Sequence, residues 1–354
     1  MPGITKLMGL AATALQSNFS QLKKPYKLNF AITYWCQSRC LSCNIWQFKP
    51  KGELTIDEIR EFARKNRSFR WLELTGGEPF LRPDIVEIAR AFHETSKGLY
   101  VMTIPTNSLC SHEMVVRRVE EILNLGIPRL AVTVSLDGYR ELHDKIRGVP
   151  GNYDRAIEMF KRLKELSRHH RNLYVVFGYT MSKYNQWQLE RTYAEVKKAI
   201  PSVTRNDFHI NVAQTSSNYY GNSNMSLVAD NEATVRELSA FVSMRRREFG
   251  IIGIVENAFL RTLLQYLKTG EMPLRSRSLD ASFFLDSYGS VFPSIMWDRK
   301  IASLREINYD VSSVWRSELA NEVRRDIAEG KEPKQWTACE AFQSLTGRIT
   351  SLIR

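Results

Sequence analysis

Strand-like and helix-like segments alternate six times along the first 215 residues, and this alternation limits the possible folds more than any other feature. The first helical pattern opens with a capping box, Thr55-x-x-Glu58, and places Ile56, Ile59 and Phe62 on one face. Strand starts lie about 28 to 44 residues apart, the scale of a βα unit. Six successive βα units predict a parallel sheet with helices outside it, as an open doubly wound sheet or a partial barrel. The predicted strands are Leu28–Trp35, Trp71–Thr75, Leu99–Ile104, Arg129–Leu136, Leu173–Met181 and Phe208–Ala213.

The pattern changes after residue 225. Two helices are predicted there, then a pair of strands joined at Tyr288-Gly289, a further helix and a terminal segment. We therefore expect a basic N-terminal helical segment at 1–27, a core domain at 28–225 and a smaller α+β extension at 226–354 that packs on the core. The predicted elements of the extension are 231–249, 256–268, 282–287, 290–295, 311–329 and 336–342.

The composition excludes disorder and low complexity, because 43% of residues are hydrophobic and 25% are charged. The net charge is +12, and residues 1–52 contain seven basic residues and no acid. A basic region of this kind attracts a phosphate-bearing substrate, an acidic protein, nucleic acid or an anionic membrane surface. Charge alone does not choose among these partners.

Membrane-spanning and exported proteins fit the sequence poorly. The longest stretch without Asp, Glu, Lys or Arg is 208–229, and its amides and hydroxyls make it too polar to span a bilayer. An N-terminal helix with Ile4, Leu7, Met8, Ala11 and Leu15 on its apolar face is expected to pack on the domain, with peripheral membrane contact as the alternative. Five cysteines are too few for a disulfide framework, which favours a reducing cytoplasm.

Three of the cysteines form the motif Cys36-x3-Cys40-x2-Cys43, directly after the first predicted strand. Three thiolates on one loop can hold three irons of a 4Fe–4S cluster and leave the fourth iron without a protein ligand. A three-cysteine zinc site is the alternative, but it needs a fourth ligand, and the next cysteine is Cys110. Chance spacing is the other alternative, and the cluster is favoured over both.

Polar or glycine-rich loops follow the first four predicted strands. Because active-site residues of parallel α/β folds gather past the carboxyl ends of the strands, these loops should meet at one edge. Paired glycines allow backbone carbonyls to approach a ligand closely, and a neighbouring carboxylate, Glu78, can accept from an ammonium group. After the cysteines, the loops are Thr75-Gly76-Gly77-Glu78-Pro79, Pro105-Thr106-Asn107-Ser108 and Ser135-Leu136-Asp137-Gly138.

In combination, these motifs and His143-Asp144-x-x-Arg147-Gly148 resemble the radical S-adenosylmethionine (SAM) superfamily over residues 28–215. The resemblance implies a partial (β/α)6 barrel in which Cys36, Cys40 and Cys43 bind a 4Fe–4S cluster whose open iron takes SAM. It further implies contacts to SAM. Gly76, Gly77 and Glu78 would hold the methionine ammonium, and Arg147 would pair with the carboxylate of SAM. Ser135 and Asp137 would lie near the ribose or the sulfonium. Asn107 matches the family's polar residue after the third strand.

The C-terminal extension contains residues 278–294 followed by Trp336-Thr337-Ala338-Cys339-Glu340-Ala341-Phe342. This combination is similar to the SPASM and twitch extensions, which bind an auxiliary cluster through cysteines. In those relatives, cysteines occur near the positions of Ser278, Ser294 and Gln335, and here only Cys339 remains. One thiolate cannot hold a cluster of this kind, so we predict a SPASM/twitch-like scaffold without an auxiliary cluster.

The resemblance implies an enzyme that reductively cleaves SAM to a 5′-deoxyadenosyl radical, which abstracts hydrogen from a peptide or small-molecule substrate. The basic N-terminal region fits an acidic electron donor, such as a flavodoxin or ferredoxin, and equally an anionic substrate. The alternative is an iron–sulfur or zinc protein that binds nucleic acid without catalysis. That alternative lacks a nucleic-acid-binding signature and leaves the glycine and aspartate loops unexplained.

Overall fold

The computed structural model describes residues 2–227, 230–246 and 250–348. After the N-terminal helix, six parallel strands alternate with helices, as predicted. The helix of residues 140–147 was not predicted, because it is short and buries only His143 and Ile146. The elements are α1 (Pro2–Phe19), β1 (Lys27–Thr33), α2 (Ile56–Lys65), β2 (Trp71–Gly76), α3 (Ile85–Thr95), β3 (Val101–Thr106), α4 (His112–Leu123), β4 (Arg129–Ser135), α5 (Arg140–Arg147), α6 (Asn152–His169), β5 (Leu173–Met181), α7 (Leu189–Ala199) and β6 (Phe208–Val212).

The extension also follows the predicted order. The helix predicted at 231–249 ends at Ser243, and residues 247–249 lie outside the described part of the chain. The single helix predicted at 311–329 is two helices, because Ser317 caps the second by accepting from the amide of Ala320. The elements are α8 (Asn231–Ser243), α9 (Ile251–Thr269), β7 (Ser282–Leu285), β8 (Ser290–Phe292), β9 (Ala302–Ser303), α10 (Val311–Trp315), α11 (Glu318–Ala328) and α12 (Ala338–Thr346).

The sheet has the strand order β6-β5-β4-β3-β2-β1-β7-β8-β9 and does not close. This confirms the predicted partial (β/α)6 barrel with a C-terminal extension. The extension does more than pack on the core, because β7 pairs in parallel with β1, with Lys27 opposite Ser282. Strands β8 and β9 then continue the sheet in antiparallel pairs.

The two faces of the parallel strands are covered differently. In β4, residues of the outer face such as Val132 are fully buried beneath the helices, whereas Thr133 and Ser135 on the inner face are half-buried. The inner face of β1 and β2 is instead covered by α12, whose Phe342 stacks on Trp71 with ring centroids 5.8 Å apart. The inner face is therefore closed at β1 and β2 and accessible along β4.

Helix α1 packs through a face that only partly coincides with the predicted one. Of the predicted residues, Leu7 and Leu15 are half-buried and Ile4, Met8 and Ala11 are exposed. The buried residues are Ala14 and Ser17. The small residues Ala14 and Ser17 allow a close approach that the longer side chains do not. Within residues 2–227, 230–246 and 250–348, no helix is long and apolar enough to cross a bilayer.

Candidate functional site

Cys36, Cys40 and Cys43 lie on the loop that leaves the carboxyl end of β1, and all three are half-buried free thiols. Burial raises the pKa of Cys36 to about 12, and it raises the pKa values of Cys40 and Cys43 as well. Thiols in such surroundings stay protonated at neutral pH unless a bound cation stabilises the thiolate. The loop therefore fits a positively charged iron centre better than free thiolate chemistry.

The three thiols do not form the compact site of a single ion. Among the described residues, no three His, Cys, Asp or Glu side chains converge on one metal position. A zinc ion needs about four ligands at bond distance from one point, whereas the ligands of a 4Fe–4S cluster bind separate irons and stand further apart. The geometry of the described residues thus gives no support to the zinc alternative.

The glycine turn after β2 packs directly against the start of the cysteine loop. The amides of Gly77 and Glu78 donate to the carbonyls of Thr33 and Trp35, each at 2.8 Å. A Cβ atom on Gly76 would lie 2.0 Å from the Thr33 carbonyl oxygen, and one on Gly77 would lie 2.2 Å from that of Trp35. No side chain fits in these spaces. The close approach that the paired glycines predict is thus made to the backbone that carries the cysteines.

Glu78 connects the glycine turn to the loop after β3. Its fully buried carboxylate accepts from the amides of Asn107 at 2.6 Å and Phe80 at 3.3 Å, and burial raises its pKa to about 7. The Asn107 side-chain amide lies 3.5 Å from Gln37 Oε1 and 3.6 Å from Cys36 Sγ. The Glu78 carboxylate therefore faces protein backbone, and it fixes Asn107 beside the first cysteine.

Asp137 and Arg147, which were expected to contact SAM separately, pair with each other. Arg147 Nε lies 2.7 Å from Asp137 Oδ2, and the other carboxylate oxygen accepts from the amide of Thr180 at 3.0 Å. Arg147 Nη1 also lies 3.8 Å from Cys40 Sγ. The pair thus joins the ends of β4 and β5 to the second cysteine.

The carboxyl end of α5 holds the middle of the cysteine loop. The carbonyls of Arg147 and Ile146 accept from the amides of Arg39 at 2.9 Å and Leu41 at 2.8 Å. Gly148 then turns the chain with φ 66°, and a Cβ there would lie 2.6 Å from the Arg39 carbonyl oxygen. The His-Asp-x-x-Arg-Gly motif therefore helps to hold the cysteine loop in place through backbone hydrogen bonds.

Ser135 lies at the end of β4 on the accessible inner face, opposite Gly178 of β5. Its hydroxyl makes no hydrogen bond to any described residue. A Cβ on Gly178 would lie 2.6 Å from Thr133 Cγ2, so the glycine keeps this part of the inner face open. Ser135 is thus a polar group available to a ligand.

Sequence reasoning missed the loop after β6, because aromatic residues that follow a strand are usually core. The Tyr219 hydroxyl lies 2.7 Å from Thr75 Oγ1, 3.2 Å from the Gly76 carbonyl oxygen and 3.3 Å from the Gly76 amide nitrogen. The sequence signals were the adjacent aromatic residues Tyr219 and Tyr220, which could also line a pocket, and the position of this loop after the sixth strand.

The same loop also holds the end of the cysteine loop. The Tyr220 carbonyl accepts from the amide of Asn44 at 2.8 Å, and the Asn222 side chain donates to the Ser42 carbonyl at 2.7 Å. The cysteine loop is therefore fixed by the glycine turn, Asn107, α5 and the loop after β6.

In the extension, Glu340 occupies the centre of a buried polar network. Its carboxylate accepts from Gln343 at 3.0 Å, Asn29 at 3.1 Å and Ser278 Oγ at 3.3 Å. Lys27 donates to Gln343 Oε1 at 2.9 Å and to the Cys339 carbonyl, and it pairs with Glu73 at 3.1 Å. Ser278, one of the positions of the expected cysteine pattern, thus donates a hydrogen bond to a carboxylate.

The other positions of the expected cysteine pattern have different environments. Gln335 donates to the Thr215 carbonyl at 2.9 Å, and Ser294 Oγ accepts from the amide of Met296 at 3.2 Å. Cys339 is half-buried and packs against the apolar cluster that Cys36 and Cys43 also contact.

Comparisons with known proteins concern the family and the fold of the chain. The family model of the Radical SAM superfamily matches residues 30–196. The AdoMet-dependent heme synthase of Methanosarcina barkeri is 31% identical over 52% of this chain and 51% of its own length. The GTP 3′,8-cyclase of Erythrobacter litoralis is 32% identical over 36% of this chain and 38% of its own length. The chain thus spans about half the length, or less, of these curated relatives.

A solved structure with a similar fold is SuiB of Streptococcus suis with S-adenosylmethionine bound. It has a TM-score of 0.60 and 16% identity, and the match covers 88% of this chain and 70% of SuiB. At this identity the likeness concerns the fold alone.

Proposed function

We propose that this chain, in which residues 30–196 match the family model of the Radical SAM superfamily, is an enzyme that reductively cleaves S-adenosylmethionine. The resulting 5′-deoxyadenosyl radical would abstract hydrogen from a substrate, either an anionic small molecule or a peptide. The observation that carries the proposal is the cysteine loop, which three sequence motifs and the loop after β6 hold in one place. Nucleic-acid binding without catalysis is not favoured, because the named relatives are a synthase and a cyclase.

In this proposal Cys36, Cys40 and Cys43 ligate one 4Fe–4S cluster. Proteins of the radical SAM superfamily bind such a cluster together with SAM. When bound, the cluster supplies one electron to the sulfonium of SAM, and the protein contributes position and exclusion of water. Arg147 near Cys40 and Asn107 near Cys36 would fix the outer surroundings of two ligands.

We assign the contacts to SAM as follows. Backbone groups of Gly76 and Gly77 in the glycine turn contact the methionine ammonium. The Glu78 carboxylate holds this turn and Asn107 in their relative positions by accepting hydrogen bonds from backbone amides. Ser135 offers its free hydroxyl to the ribose region. The Asp137–Arg147 pair borders the sulfonium and the carboxylate, with Arg147 the cation that an α-carboxylate needs. The support is the position of these residues at one end of the sheet.

We further propose the domain limits 1–27, 28–225 and 226–354, the last a SPASM/twitch-like extension without an auxiliary cluster. The Glu340 network supports this, because hydrogen bonds already satisfy Ser278 and the carboxylate beside it. Phe342 of the extension contacts Trp71 on β2 and His209 on β6, so it bridges the two sides of the open barrel. The extension would thereby form one wall of the substrate cleft. A cytoplasmic location stays a prediction from cysteine use.

The test is an anaerobic reaction of the reconstituted protein with SAM and a low-potential reductant. The expected product is 5′-deoxyadenosine, and Cys36→Ala, Cys40→Ala and Cys43→Ala should each abolish it. The Cys110→Ala variant is the matched control, since Cys110 is a buried cysteine outside the loop. Product formation that survives in the triple variant of the loop would refute the proposal.

A further inference from the structure

One row of residues crosses the accessible inner face of the sheet from β4 to β6. Ser135 of β4 lies opposite Gly178 of β5, and Gly178 lies opposite His209 of β6. The residue before each of them is fully buried, which places the row itself on the inner face. Neighbouring strands lie about 4.8 Å apart, so roughly 10 Å of backbone without a side chain separates Ser135 from His209. We call this space over Gly178 the inner-face gap.

His209 borders the inner-face gap, and two helices of the extension fix the orientation of its ring. Its Nδ1 lies 3.0 Å from both carboxylate oxygens of Glu256 on α9. The ring stacks on Phe259 of the same helix with centroids 5.5 Å apart, and the ring of Phe342 on α12 lies 6.1 Å away. A side chain held from three sides in this way is ordered before any ligand binds.

The second ring nitrogen of His209 is available to a ligand. Its Nε2 makes no hydrogen bond to any described residue, and the side chain is 19% exposed. Because Glu256 occupies Nδ1, a molecule in the inner-face gap meets Nε2. Asn211 lies two residues further along β6 and therefore on the same face. Its Oδ1 accepts from the amide of Val212 at 3.0 Å, which leaves Nδ2 as a second donor.

The charge of His209 favours an anionic ligand. Burial lowers the pKa of His209, but the Glu256 carboxylate raises it more, so the net shift is upward. Of the other charged groups that face the ring, Arg245 lowers this pKa and Glu73 on β2 raises it. The protonated ring therefore donates from both nitrogens, through Nδ1 to Glu256 and through Nε2 to the inner-face gap.

A carboxylate fits these donors better than a phosphate does. One imidazolium N–H and one amide N–H match the two oxygens of a carboxylate. A phosphate dianion is bound more often by several cations, above all by arginine. At this position Glu256 already balances the charge of the imidazolium, so the pair adds no surplus positive charge for a dianion.

We propose that His209 and Asn211 bind a carboxylate group of the substrate in the inner-face gap, with Glu256 as the positioning residue of His209. This inference rests on the proposed function, since Ser135 at the other side of the gap is assigned to the ribose region of SAM. A substrate anchored at His209 would extend toward the adenosyl group of SAM. The substrate class thereby narrows to molecules that carry a carboxylate on the side of the extension.

The test is a titration of the reconstituted protein, with isotope-labelled histidine rings, followed by nuclear magnetic resonance. Sodium acetate is the carboxylate probe, and acetamide has the same shape without the charge. Sodium chloride keeps the ionic strength constant. The His209→Gln variant identifies the His209 signal by its loss. His170 is the matched control in the same sample, because its Nε2 lies 3.8 Å from Glu120 and it follows α6, outside the inner face.

We expect acetate to move the His209 signal until the site is saturated, and to leave the His170 signal in place. Acetamide should bind about tenfold more weakly or less, because it lacks the charge. Asn211→Asp keeps an oxygen for the Val212 amide but replaces the donor by a second carboxylate, so acetate affinity should fall by about tenfold or more.

The positioning role of Glu256 has its own readout. In Glu256→Gln the titration midpoint of His209 should move to lower pH, because the carboxylate that raises its pKa is lost. Acetate binding should therefore weaken at neutral pH and recover as the pH is lowered. Acetate binding that does not change with pH in this variant would contradict the positioning role.

Acetate that leaves the His209 signal in place would overturn the inference and make the pair with Glu256 a structural ion pair. Equal binding of acetate and acetamide would also overturn it, because the gap would then take a neutral group. Neither measurement uses a reductant or SAM cleavage. If acetate binds as expected but the reduced protein forms no 5′-deoxyadenosine from SAM, the proposed function fails and the carboxylate site remains.

Discussion

At the residue scale, Tyr219 joins two strands that are distant in sequence. Its hydroxyl lies within hydrogen-bond distance of both the carbonyl oxygen and the amide nitrogen of Gly76, and the residue is buried. A phenol in that position limits how the glycine turn orients its peptide groups. Because the glycine turn is the proposed contact for the methionine ammonium, we propose Tyr219 as a positioning residue for SAM.

Replacing Tyr219 by Phe keeps the ring and removes only this hydroxyl. We expect SAM affinity to fall by about two- to tenfold, in line with the roughly 0.5–1.5 kcal/mol of one neutral hydrogen bond, while the iron content stays the same. Equilibrium binding to the reconstituted protein measures the effect. Tyr220→Phe is the control, because the Tyr220 hydroxyl has no hydrogen-bond partner among the described residues. Equal affinities in the two variants would contradict the positioning role.

The Asp137–Arg147 pair is the other decisive contact at this scale. Both side chains are largely buried, with 6% and 15% of their surfaces exposed. Removing one partner of a buried pair leaves the other charge without compensation, which costs more than losing an exposed pair. Arg147 contacts the cysteine loop at two points: its Nη1 lies near Cys40 Sγ, and its carbonyl accepts from the Arg39 amide.

The Asp137→Asn variant should lower the free energy of unfolding by about 3–5 kcal/mol, because Arg147 loses its counter-charge. SAM affinity should fall by about ten- to a hundredfold, since a charged hydrogen bond in the site is lost. Denaturant unfolding and equilibrium binding measure the two effects. Asp57→Asn, which breaks an exposed pair with Arg60, should change neither. An Asp137 variant that behaves like the Asp57 variant would show that this pair has no such role.

At the scale of elements, α12 and β1 share buried ionisable groups. Glu340 is 5% exposed, and burial raises its pKa to about 7, although Lys27 lowers it and Glu73 adds to the rise. In an unfolded chain a glutamate titrates near pH 4.3, so between that pH and about 7 the folded protein binds one proton more than the unfolded one. The contribution to stability is complete below about pH 4.3 and is lost as the pH rises through 7.

We therefore expect the free energy of unfolding to decrease by about 2–3 kcal/mol between pH 5 and pH 7.5 from Glu340 alone. The Glu340→Gln variant cannot titrate there, so the wild-type curve should fall relative to that of the variant as the pH rises. Denaturant unfolding across this range gives both curves. Parallel curves, or a wild type that gains stability relative to the variant with rising pH, would contradict a raised pKa for Glu340.

Local patterns predicted most elements and missed those set by distant contacts. The capping box of Thr55 and Glu58 is present as predicted, because it depends on four consecutive residues. Helix α5 buries only two side chains, so its apolar pattern is too sparse to detect. The pairing of β7 with β1 joins residues more than 250 positions apart, which no local pattern encodes.

The candidate functional site also combines features that the local sequence predicts with features that depend on distant contacts. The residues of the first four loops were predicted to meet at one end of the sheet because parallel strands bring their carboxyl ends together. The direction of each side chain was not predictable. Glu78 turns toward the Asn107 amide and Asp137 toward Arg147, and these partners become neighbours only through the tertiary fold.

At the scale of the whole molecule, the extension completes the open barrel from its β1 side. Its strands lengthen the sheet, and Phe342 spans from β2 to β6. Asn29, Ser278 and Gln343 donate hydrogen bonds to Glu340. Packing and hydrogen bonds therefore hold α12 against the rest of the protein. We therefore predict no second cluster in the extension.

The most direct measurement of the central claim is the iron content of the reconstituted protein. The account predicts about four irons per chain, which is one 4Fe–4S cluster on three thiolates of the cysteine loop. Cys339→Ala should keep all of them, and the Cys36→Ala/Cys40→Ala/Cys43→Ala triple variant should keep none. About eight irons per chain in the unsubstituted protein, or iron retained by the triple variant, would contradict the account.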